Sequence, residues 1–295
     1  MSSQYDIKPF LLWLINEKGC IENTAKGYFS SVSDFISWFE ETNGEEFSVK
    51  MVTPTDLREY QQYLLTLKRL KPGTINRRGS ALRNFFSWAK ETSLIKELPR
   101  FPRPVREQIR APRSLTRREQ NRLLRAVERA GNTRDIAIIK LMIGTGLRLG
   151  ETTSLKIDDI ELGERHGKVT VWGKGVKYRE VPIPVEARHA LTTWISWLEQ
   201  HTRGDYLFIN RRGTGISHRG IQKMLKKYAY QAGLPLESVH PHVLRHTCAK
   251  NMLDSGVDLV KVATILGHES LDTTAIYTKP RFQDLIAAVD KGETL

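Results

Sequence analysis

The stretch LPRFPRPVREQIRAPR, residues 98–113, decides how the chain is organised. It holds four prolines and five arginines but only one acidic residue, Glu107. Proline blocks helix continuation and favours extended backbone, so this stretch is predicted to be a stiff, basic linker. It separates a first domain over residues 1–97 from a second domain over residues 114–295. If the linker also binds phosphates, the two domains can close around a nucleic acid duplex.

Upstream of the linker, the sequence predicts four amphipathic helices. Thr24 is a favourable N-cap for the second helix, Thr53-Pro54 opens the third, and Gly73-Thr74 opens the fourth. Four such helices in about 90 residues form a compact bundle. The apolar residues at helical spacing are Ile7, Phe10, Leu11, Leu14 and Ile15, then Ala25, Tyr28, Phe29, Val32, Ile36 and Phe39, then Leu57, Tyr60 and Leu64, and finally Ile75, Gly79, Leu82, Phe86 and Ala89.

Downstream of the linker, the pattern predicts helices and one β-hairpin. KVTVW (168–172) alternates between polar and apolar residues, and Gly173-Lys174-Gly175 turns it into a second strand over residues 178–183. Lys174 lies at the tip of this hairpin. The second domain is therefore mainly helical with a small β-sheet, an α+β fold. The helices are predicted at Ser114 to Ala130, Arg134 to Met142, and about 186–200, 218–232, 242–255, 258–266, 271–278 and 281–290.

The basic charge of the chain is concentrated in one segment. Lys and Arg total 46 against 33 Asp and Glu, and residues 66–118 hold 15 of the bases but only 3 of the acids. Such a segment attracts polyanions, most often nucleic acid, although a solvated basic face is the alternative. Polar side chains also form a stripe along the fourth helix, where they can reach base edges and phosphates. The candidates for DNA contact are Asn76, Arg77, Ser80, Arg83, Lys90, Arg103 and Arg106.

Composition bounds the class of protein and its compartment. Of the 295 residues, 40% are hydrophobic and 27% charged, as in ordinary globular proteins. Cys20 and Cys248 are far apart, which excludes a disulfide framework and favours a reducing compartment. The longest apolar run, residues 10–15, is too short for a membrane span or a signal-peptide core. We expect a soluble protein of the cytoplasm.

Three common site motifs fail. GTGLRLG (144–150) resembles a dinucleotide fingerprint, but its last spacing is one residue too long, and no phosphate-binding P-loop is present. His240, His242 and His246 suggest a metal, yet no HExxH or cysteine pattern accompanies them. Asp158-Asp159 could belong to a metal-dependent nuclease, but no further carboxylates are spaced to complete that site. The sequence therefore predicts neither metal nor cofactor.

Five short strings together resemble the signature boxes of one enzyme family. They are TGLRLGE (145–151), WGKG (172–175), HPHVLRHT (240–247), LGH (266–268) and the IYT around Tyr277. In this order they are similar to the tyrosine recombinases, the phage-integrase and Xer class. NTAKGYFSSVSDFISWF (23–39) and GTINRRGSALRNFFSWA (73–89) also resemble the helical, SAM-like core-binding domain of that family. The resemblance implies a DNA-binding first domain and a catalytic second domain that breaks and rejoins DNA.

Carried over by position, the resemblance implies a six-residue catalytic set. Glu151, three residues after Arg148, stands where the family usually carries an acid that supports the site. His246 is not carried over, because other members place a different residue there. The implied set is Tyr277 as the nucleophile, Arg148 and Arg245 as the arginine pair, Lys174 as the hairpin lysine, and His242 and His268 as the two histidines.

The chemistry of these groups suits phosphodiester transfer. Two guanidinium groups can stabilise the charge on the nonbridging phosphate oxygens without a metal. His242 can accept the proton of the Tyr277 phenol, whose ordinary pKa of about 10 makes it a poor nucleophile at pH 7. Lys174 can protonate the departing 5′-oxygen, while His268 hydrogen-bonds the phosphate. The product, a 3′-phosphotyrosine, keeps the bond energy, so religation needs no ATP.

Alternatives to a recombinase are a type IB topoisomerase of the same chemistry, a non-catalytic DNA-binding protein of the same fold, and a metal-dependent nuclease. The tail, residues 279–295, bears on the first of these. Phe282, Leu285, Ile286 and Val289 form an apolar stripe with little chain left to pack against. In the family this segment docks on a neighbouring protomer. The resemblance therefore implies a monomer in solution that forms a homotetramer on two DNA duplexes with inverted half-sites.

Overall fold

The computed structural model describes residues 6–20, 22–107, 112–172, 178–201, 204–267 and 272–275. The chain divides into two compact units, Met1–Gln108 and Ile109–Leu295. Within the described residues, no helix is both long and apolar enough to cross a membrane. The mainly helical fold with a small sheet, predicted from the sequence, is confirmed.

Four helices build the first unit. The third helix begins at Thr53-Pro54 as predicted, and a capping box closes its start: the Thr53 hydroxyl accepts the backbone N–H of Asp56, while the Asp56 carboxylate accepts the backbone N–H of Thr53. Thr24 is not the N-cap of the second helix, since that helix already begins at Glu22 and Thr24 lies inside it. The bounds are α1 Lys8–Asn16, α2 Glu22–Asn43, α3 Pro54–Thr66 and α4 Pro72–Glu91.

Aromatic rings form the core of the first unit. Phe35 on α2 lies 5.0 Å from Tyr60 on α3, measured between ring centroids, and Phe10 on α1 lies 5.4 Å from Phe85 on α4. Both pairs meet edge to face, the arrangement that the ring quadrupole favours. These contacts join α2 to α3 and α1 to α4, and because α2 also packs against α4, the four helices form one bundle.

The beginning of the predicted linker packs against the first unit. The side-chain amide of Asn76 donates to the Val105 carbonyl at 2.9 Å and accepts the Val105 N–H at 2.8 Å. The guanidinium of Arg83 lies over the Phe101 ring, 5.2 Å from its centroid. Gln61 on α3 donates to the Arg103 carbonyl at 3.0 Å. Residues 98–107 are therefore held along α3 and α4 rather than forming a free strap.

The second unit combines helices with a three-stranded antiparallel sheet in the order β1-β2-β3. The predicted hairpin is present, and in its register Val171 pairs with Arg179. The elements are α5 Arg117–Arg129, α6 Thr133–Thr145, α7 Leu149–Ser154, β1 Ile160–Leu162, β2 Gly167–Trp172, β3 Tyr178–Pro182, α8 Val185–His201, α9 His218–Gln231, α10 Pro241–Asp254, α11 Leu259–Leu266 and α12 Asp272–Ala275.

Helix α6 forms the centre of the second unit. Its residues Ile138, Ile139, Leu141 and Met142 have no exposed surface, and α8 and α10 pack against it. The sequence analysis missed two elements that follow this helix, the short α7 and the three-residue β1. Both are too short to show a hydrophobic period. They lie on either side of a 3-10 turn over Ile157–Asp159, so Asp158 and Asp159 belong to a turn.

Candidate active site

The turn between α6 and α7 presents Arg148 at the surface. Gly146 ends α6 in the left-handed conformation, with a φ of 65°, which favours glycine. A Cβ atom there would collide with Cδ2 of Leu266 on α11 and lie 3.3 Å from Sγ of Cys248 on α10. Glycine thus allows the turn to approach both helices closely.

Arg148 is held by Glu151 and by the end of α11. Its backbone N–H donates to Glu151 Oε2 at 2.7 Å, and its Nη1 donates to Oε1 at 2.8 Å. Its Nη2 donates to the Gly267 carbonyl at 2.8 Å. The side chain is still 43% exposed. The guanidinium is therefore fixed in place but accessible to a ligand.

Arg245 on α10 is buried, with 4% of its surface exposed. Its Nη1 donates to the Gly146 carbonyl at 2.7 Å and its Nη2 donates to the Leu266 carbonyl at 2.6 Å. Because burying a charge is costly without hydrogen bonds, these two carbonyls are needed to hold the guanidinium there. Arg245 thus joins the turn before Arg148 to the end of α11.

Both guanidinium groups bind successive carbonyls at the C-terminus of α11. Arg245 binds that of Leu266 and Arg148 that of Gly267, the residue that caps the helix with a φ of 65°. The last carbonyls of a helix lack partners within the helix and carry partial negative charge, so they attract cations. The result is a local concentration of positive charge that can bind an anion such as a phosphate.

Three histidines lie near the start of α10. The ring of His242 is 6.3 Å from that of His240 and 6.5 Å from that of His246, between centroids. Burial, and after it the charges of His242 and Arg245, lower the pKa of His246 to about 4, so this ring is neutral at pH 7. In the part of the chain that the structure describes, no three His, Cys, Asp or Glu residues are grouped to hold a metal ion.

Three of the six predicted catalytic residues, Lys174, His268 and Tyr277, lie outside the described residues, as does the tail over 279–295. The structure describes the other three and brings Arg148 and Arg245 to the same end of α11. The exposed aromatic residues Trp172 and Tyr178, which flank Lys174 in the sequence, have ring centroids 5.6 Å apart.

Glu151, which the family resemblance implies as a supporting acid, binds Arg148 and has a second partner that the sequence analysis missed. Arg179 on β3 donates to both carboxylate oxygens of Glu151, each at 2.9 Å. Burial alone would raise the pKa of Glu151, but hydrogen bonds from Arg179 and from the Arg148 backbone outweigh it and lower that pKa. Glu151 is therefore a carboxylate at neutral pH.

The predicted DNA contacts on the first unit fall into two groups. Asn76 and Arg83 hold the linker, and the Ser80 hydroxyl donates to the Asn76 carbonyl at 3.1 Å. The polar stripe of α4 is therefore not the open face that its spacing suggested. DNA contact by the stripe stays a prediction, and the candidates whose side chains are exposed are Arg77, Lys90, Arg103 and Arg106.

Two family models match the chain. The model of the phage integrase family matches residues 113–284, and that of the phage integrase N-terminal SAM-like domain matches residues 15–96. The chain belongs to the phage integrase family. The family resemblance inferred from the five strings is thereby confirmed.

Similar proteins of known class cover this phage integrase family member from end to end. A tyrosine recombinase XerC from Thermodesulfovibrio yellowstonii is 33% identical over 100% of this chain and 98% of its own length. A tyrosine recombinase XerD from Oceanobacillus iheyensis is 30% identical over 96% of this chain and 97% of its own. The chain is accordingly a tyrosine site-specific recombinase.

Solved structures of recombinases share the fold of this integrase family member. XerH bound to its difH substrate in a pre-cleavage complex has a TM-score of 0.73 and 26% identity, over 90% of this chain and 78% of that one. The XerA recombinase has a TM-score of 0.55 and 27% identity, over 97% and 96% of the two chains.

Proposed function

We propose that this recombinase cleaves and rejoins duplex DNA through a 3′-phosphotyrosine intermediate, without ATP or a metal ion. Tyr277 attacks the phosphorus atom, the bond to the 5′-oxygen breaks, and the DNA 3′-phosphate stays on the phenol. In religation the 5′-hydroxyl attacks the phosphotyrosine and releases Tyr277. The observation that carries this proposal is the anchoring of Arg148 and Arg245 on successive carbonyls of α11.

The arginine pair stabilises the charge that develops on the phosphate. Buried Arg245 is pre-oriented by two carbonyls, whereas exposed Arg148 is oriented by Glu151 and keeps room for a ligand. Pre-oriented donors need no reorganisation during the reaction, and removal of one such donor typically slows a reaction about 100- to 1000-fold. Arg148→Ala and Arg245→Ala should therefore each slow cleavage by about that factor.

Proton transfer is assigned to His242 and Lys174. His242, exposed near the start of α10, accepts the proton of the Tyr277 phenol, and Lys174 donates one to the leaving 5′-oxygen. His268 follows Gly267, whose carbonyl binds Arg148, and it hydrogen-bonds the transferring phosphate. These roles rest on the family pattern for Lys174, His268 and Tyr277.

The substrate is a duplex with two inverted half-sites, and the first unit contributes to its binding. Arg103 and Arg106 project from the docked linker segment, and Arg77 and Lys90 are exposed on α4. Lys and Arg side chains on phosphates supply most of the salt-dependent affinity for DNA. The reaction takes place at the nucleoid in the cytoplasm.

Strand exchange requires four protomers, and a groove on the second unit can bind the tail of a neighbouring protomer. A groove of about 610 Å³ lies among α5, α6, α8 and α10, with Leu124, Ile143 and Met252 among its apolar lining residues. Charged residues of both signs, including Arg125 and Glu186, also line it. The apolar stripe of the tail, Phe282, Leu285, Ile286 and Val289, matches this groove in chemistry.

The test is covalent capture on a nicked suicide duplex that contains the recombination site. The wild-type protein should give an SDS-resistant adduct in EDTA and without ATP. Tyr277→Phe should bind the duplex with an unchanged Kd and give no adduct, because the hydroxyl makes its bond only in the reaction. Adduct formation by Tyr277→Phe, or loss of wild-type cleavage in EDTA, would overturn the mechanism. Binding without any wild-type adduct would favour a non-catalytic DNA-binding protein.

A further inference from the structure

Arg179 joins three parts of the candidate active site. Its two terminal nitrogens donate to the two oxygens of Glu151 at 2.9 Å each, and its Nε donates to the Ile265 carbonyl on α11 at 3.2 Å. Arg179 lies on β3, the second strand of the hairpin. It therefore connects the hairpin, the acid behind Arg148 and the end of α11.

The two arginines that bind Glu151 differ in how far their side chains are buried. The side chains of Glu151 and Arg179 are 11% and 18% exposed, whereas that of Arg148 is 43% exposed. The buried pair is thus Glu151 with Arg179, and Arg148 touches the same carboxylate through one nitrogen of its guanidinium. A parallel, two-bond pairing of Arg with a carboxylate is the strongest geometry available to these groups.

The charges around Glu151 explain why a second arginine is useful. If Arg148 were the only arginine beside Glu151, the carboxylate would neutralise the positive charge that attracts the phosphate. With Arg179 on the same carboxylate, the cluster keeps a net positive charge, and Glu151 still orients Arg148. Arg179 already pairs with both oxygens of Glu151, so the guanidinium of Arg148 binds this carboxylate through Nη1 alone.

The end of α11 is shaped to admit Arg179. Gly267 has a φ of 65°, and a Cβ atom on it would lie 2.9 Å from the Cζ, Nε and Nη1 atoms of Arg179. Only glycine permits this approach. The guanidinium thus packs against the turn whose carbonyl binds Arg148 and which leads to His268.

We propose that Arg179 is a positioning residue, which keeps Glu151 in place and leaves the positive charge of Arg148 available to the scissile phosphate. The proposal rests on the assignment of Arg148 to the phosphate. Loss of Arg179 should slow cleavage and leave affinity for a half-site nearly unchanged, since its side chain is 18% exposed and its nitrogens are bound to Glu151 and to the Ile265 carbonyl. The loss of one charge-assisted contact typically corresponds to about a 10- to 100-fold change.

The experiment is a double-mutant cycle on the nicked suicide duplex. Arg179→Ala should lower the rate of adduct formation about 10- to 100-fold, with the half-site Kd within about twofold. Arg179→Lys should recover part of the rate, because it restores the charge without the two-bond geometry. In a Glu151→Gln background, Arg179→Ala should have little further effect.

The pH profile separates positioning from a structural role. The charged groups facing Glu151 are Arg148 from the α6–α7 turn and Arg179 from β3, and α9 brings His218 close to Gly150. Without Arg179 the pKa of Glu151 rises, so cleavage should begin to fail at a higher pH than in the wild type as the pH is lowered. His218→Gln should leave this shift intact. Glu151→Gln should abolish it.

Arg134 provides a matched control. It is 20% exposed and, like Arg179, binds one carboxylate, that of Asp135, and one backbone carbonyl, that of Ile209. It lies at the start of α6, the opposite end of that helix from Gly146. Arg134→Ala should lower Tm about as much as Arg179→Ala but leave the rate and its pH profile unchanged.

The outcomes are distinct. A wild-type cleavage rate in Arg179→Ala would overturn the positioning role. So would a pH-independent loss of rate on Arg179→Ala that is as large in the Glu151→Gln background as in the wild type. A normal rate in Arg148→Ala would instead overturn the proposed function itself. If Arg179→Ala does not fold, the rate and pH profile of Arg179→Lys decide the question by the same criteria.

Discussion

Protonation of the leaving group is assigned to Lys174, and the chemistry of that step isolates its role. Lys174→Ala should cleave ordinary DNA about 100- to 10000-fold more slowly, the usual range for general acid catalysis. On a duplex with a 5′-bridging phosphorothiolate, whose sulfur leaves without a proton, the variant should recover most of the wild-type rate. Single-turnover cleavage of the two substrates provides the comparison. An equal defect on both would assign Lys174 to another task.

The half-buried ring of His246 gives the fold a pH dependence that can be measured. Its pKa is about 4 in the folded protein, below the ordinary 6.5, so the unfolded chain binds a proton in a range where the folded chain does not. This histidine therefore contributes stability above pH 6.5, and that stability is lost as the pH falls towards 4. His246→Gln should show a smaller fall in Tm between pH 7 and 4.5 than the wild type.

A control for this measurement is His189→Gln, which replaces an exposed histidine on α8. Its fall in Tm should match that of the wild type. If His246→Gln loses as much Tm as the wild type over the same range, the ring is not the group that makes the fold acid-sensitive.

At the scale of elements, the docked linker segment makes a prediction about proteolysis. Asn76→Ala removes both hydrogen bonds to Val105, and each such bond contributes about 0.5–1.5 kcal/mol. Trypsin should then cut after Arg100 or Arg106 about tenfold faster, because cleavage follows the open population. Asn84→Ala is the control, since Asn84 binds a carbonyl of its own helix. Equal cutting rates for both variants would show that Asn76 does not hold the segment.

Elements with a local signal could be predicted, and those that depend on distant contacts could not. Thr53-Pro54 at α3 and the hairpin around Lys174 were found because capping and alternation lie within a few residues. The stripe containing Asn76 was interpreted as an open face, because no local pattern shows that a segment 29 residues later docks on it. Arg179 was missed for the same reason, since its carboxylate partner is 28 residues away.

In the candidate site, too, features with a local sequence signal could be predicted and those that depend on distant contacts could not. Arg148 and Arg245 were identified because the strings around them match a family, whereas their anchoring on Leu266 and Gly267 depends on how α11 packs. In the alternating strand β3, Arg179 shares a face with the apolar residue Val181. An arginine on the apolar face of a strand indicates a charge that needs a partner, and that signal could have drawn attention to Arg179.

At the scale of the whole molecule, we expect the proposed assembly to depend on the tail. Phe282, Leu285, Ile286 and Val289 each gain about 1.5–3 kcal/mol if buried on a neighbour. A chain truncated after Thr278 should bind one half-site as the wild type does but lose cooperative occupancy of two. Recombination should fall much further than binding. The measurement is a gel-shift titration on one and two half-sites beside a recombination assay.

A substitution in the groove that we assign to the tail tests the same assembly from the other side of the contact. Met252→Glu places a charge among its apolar lining and should reproduce the loss of cooperativity. Leu236→Glu, at a residue that is 47% exposed, is the control and should behave as the wild type. Unchanged cooperativity in the truncated chain and in Met252→Glu would overturn tail exchange.

The covalent bond itself is the decisive observable. The wild-type protein, trapped on the nicked suicide duplex in EDTA, is digested with protease and nuclease, and the adduct is located by mass spectrometry. We expect a nucleotide joined through its 3′-phosphate to the peptide that contains Tyr277, with a free 5′-hydroxyl on the released strand. A nucleotide on another residue, or a 5′-phosphate joined to the protein, would overturn the proposed mechanism.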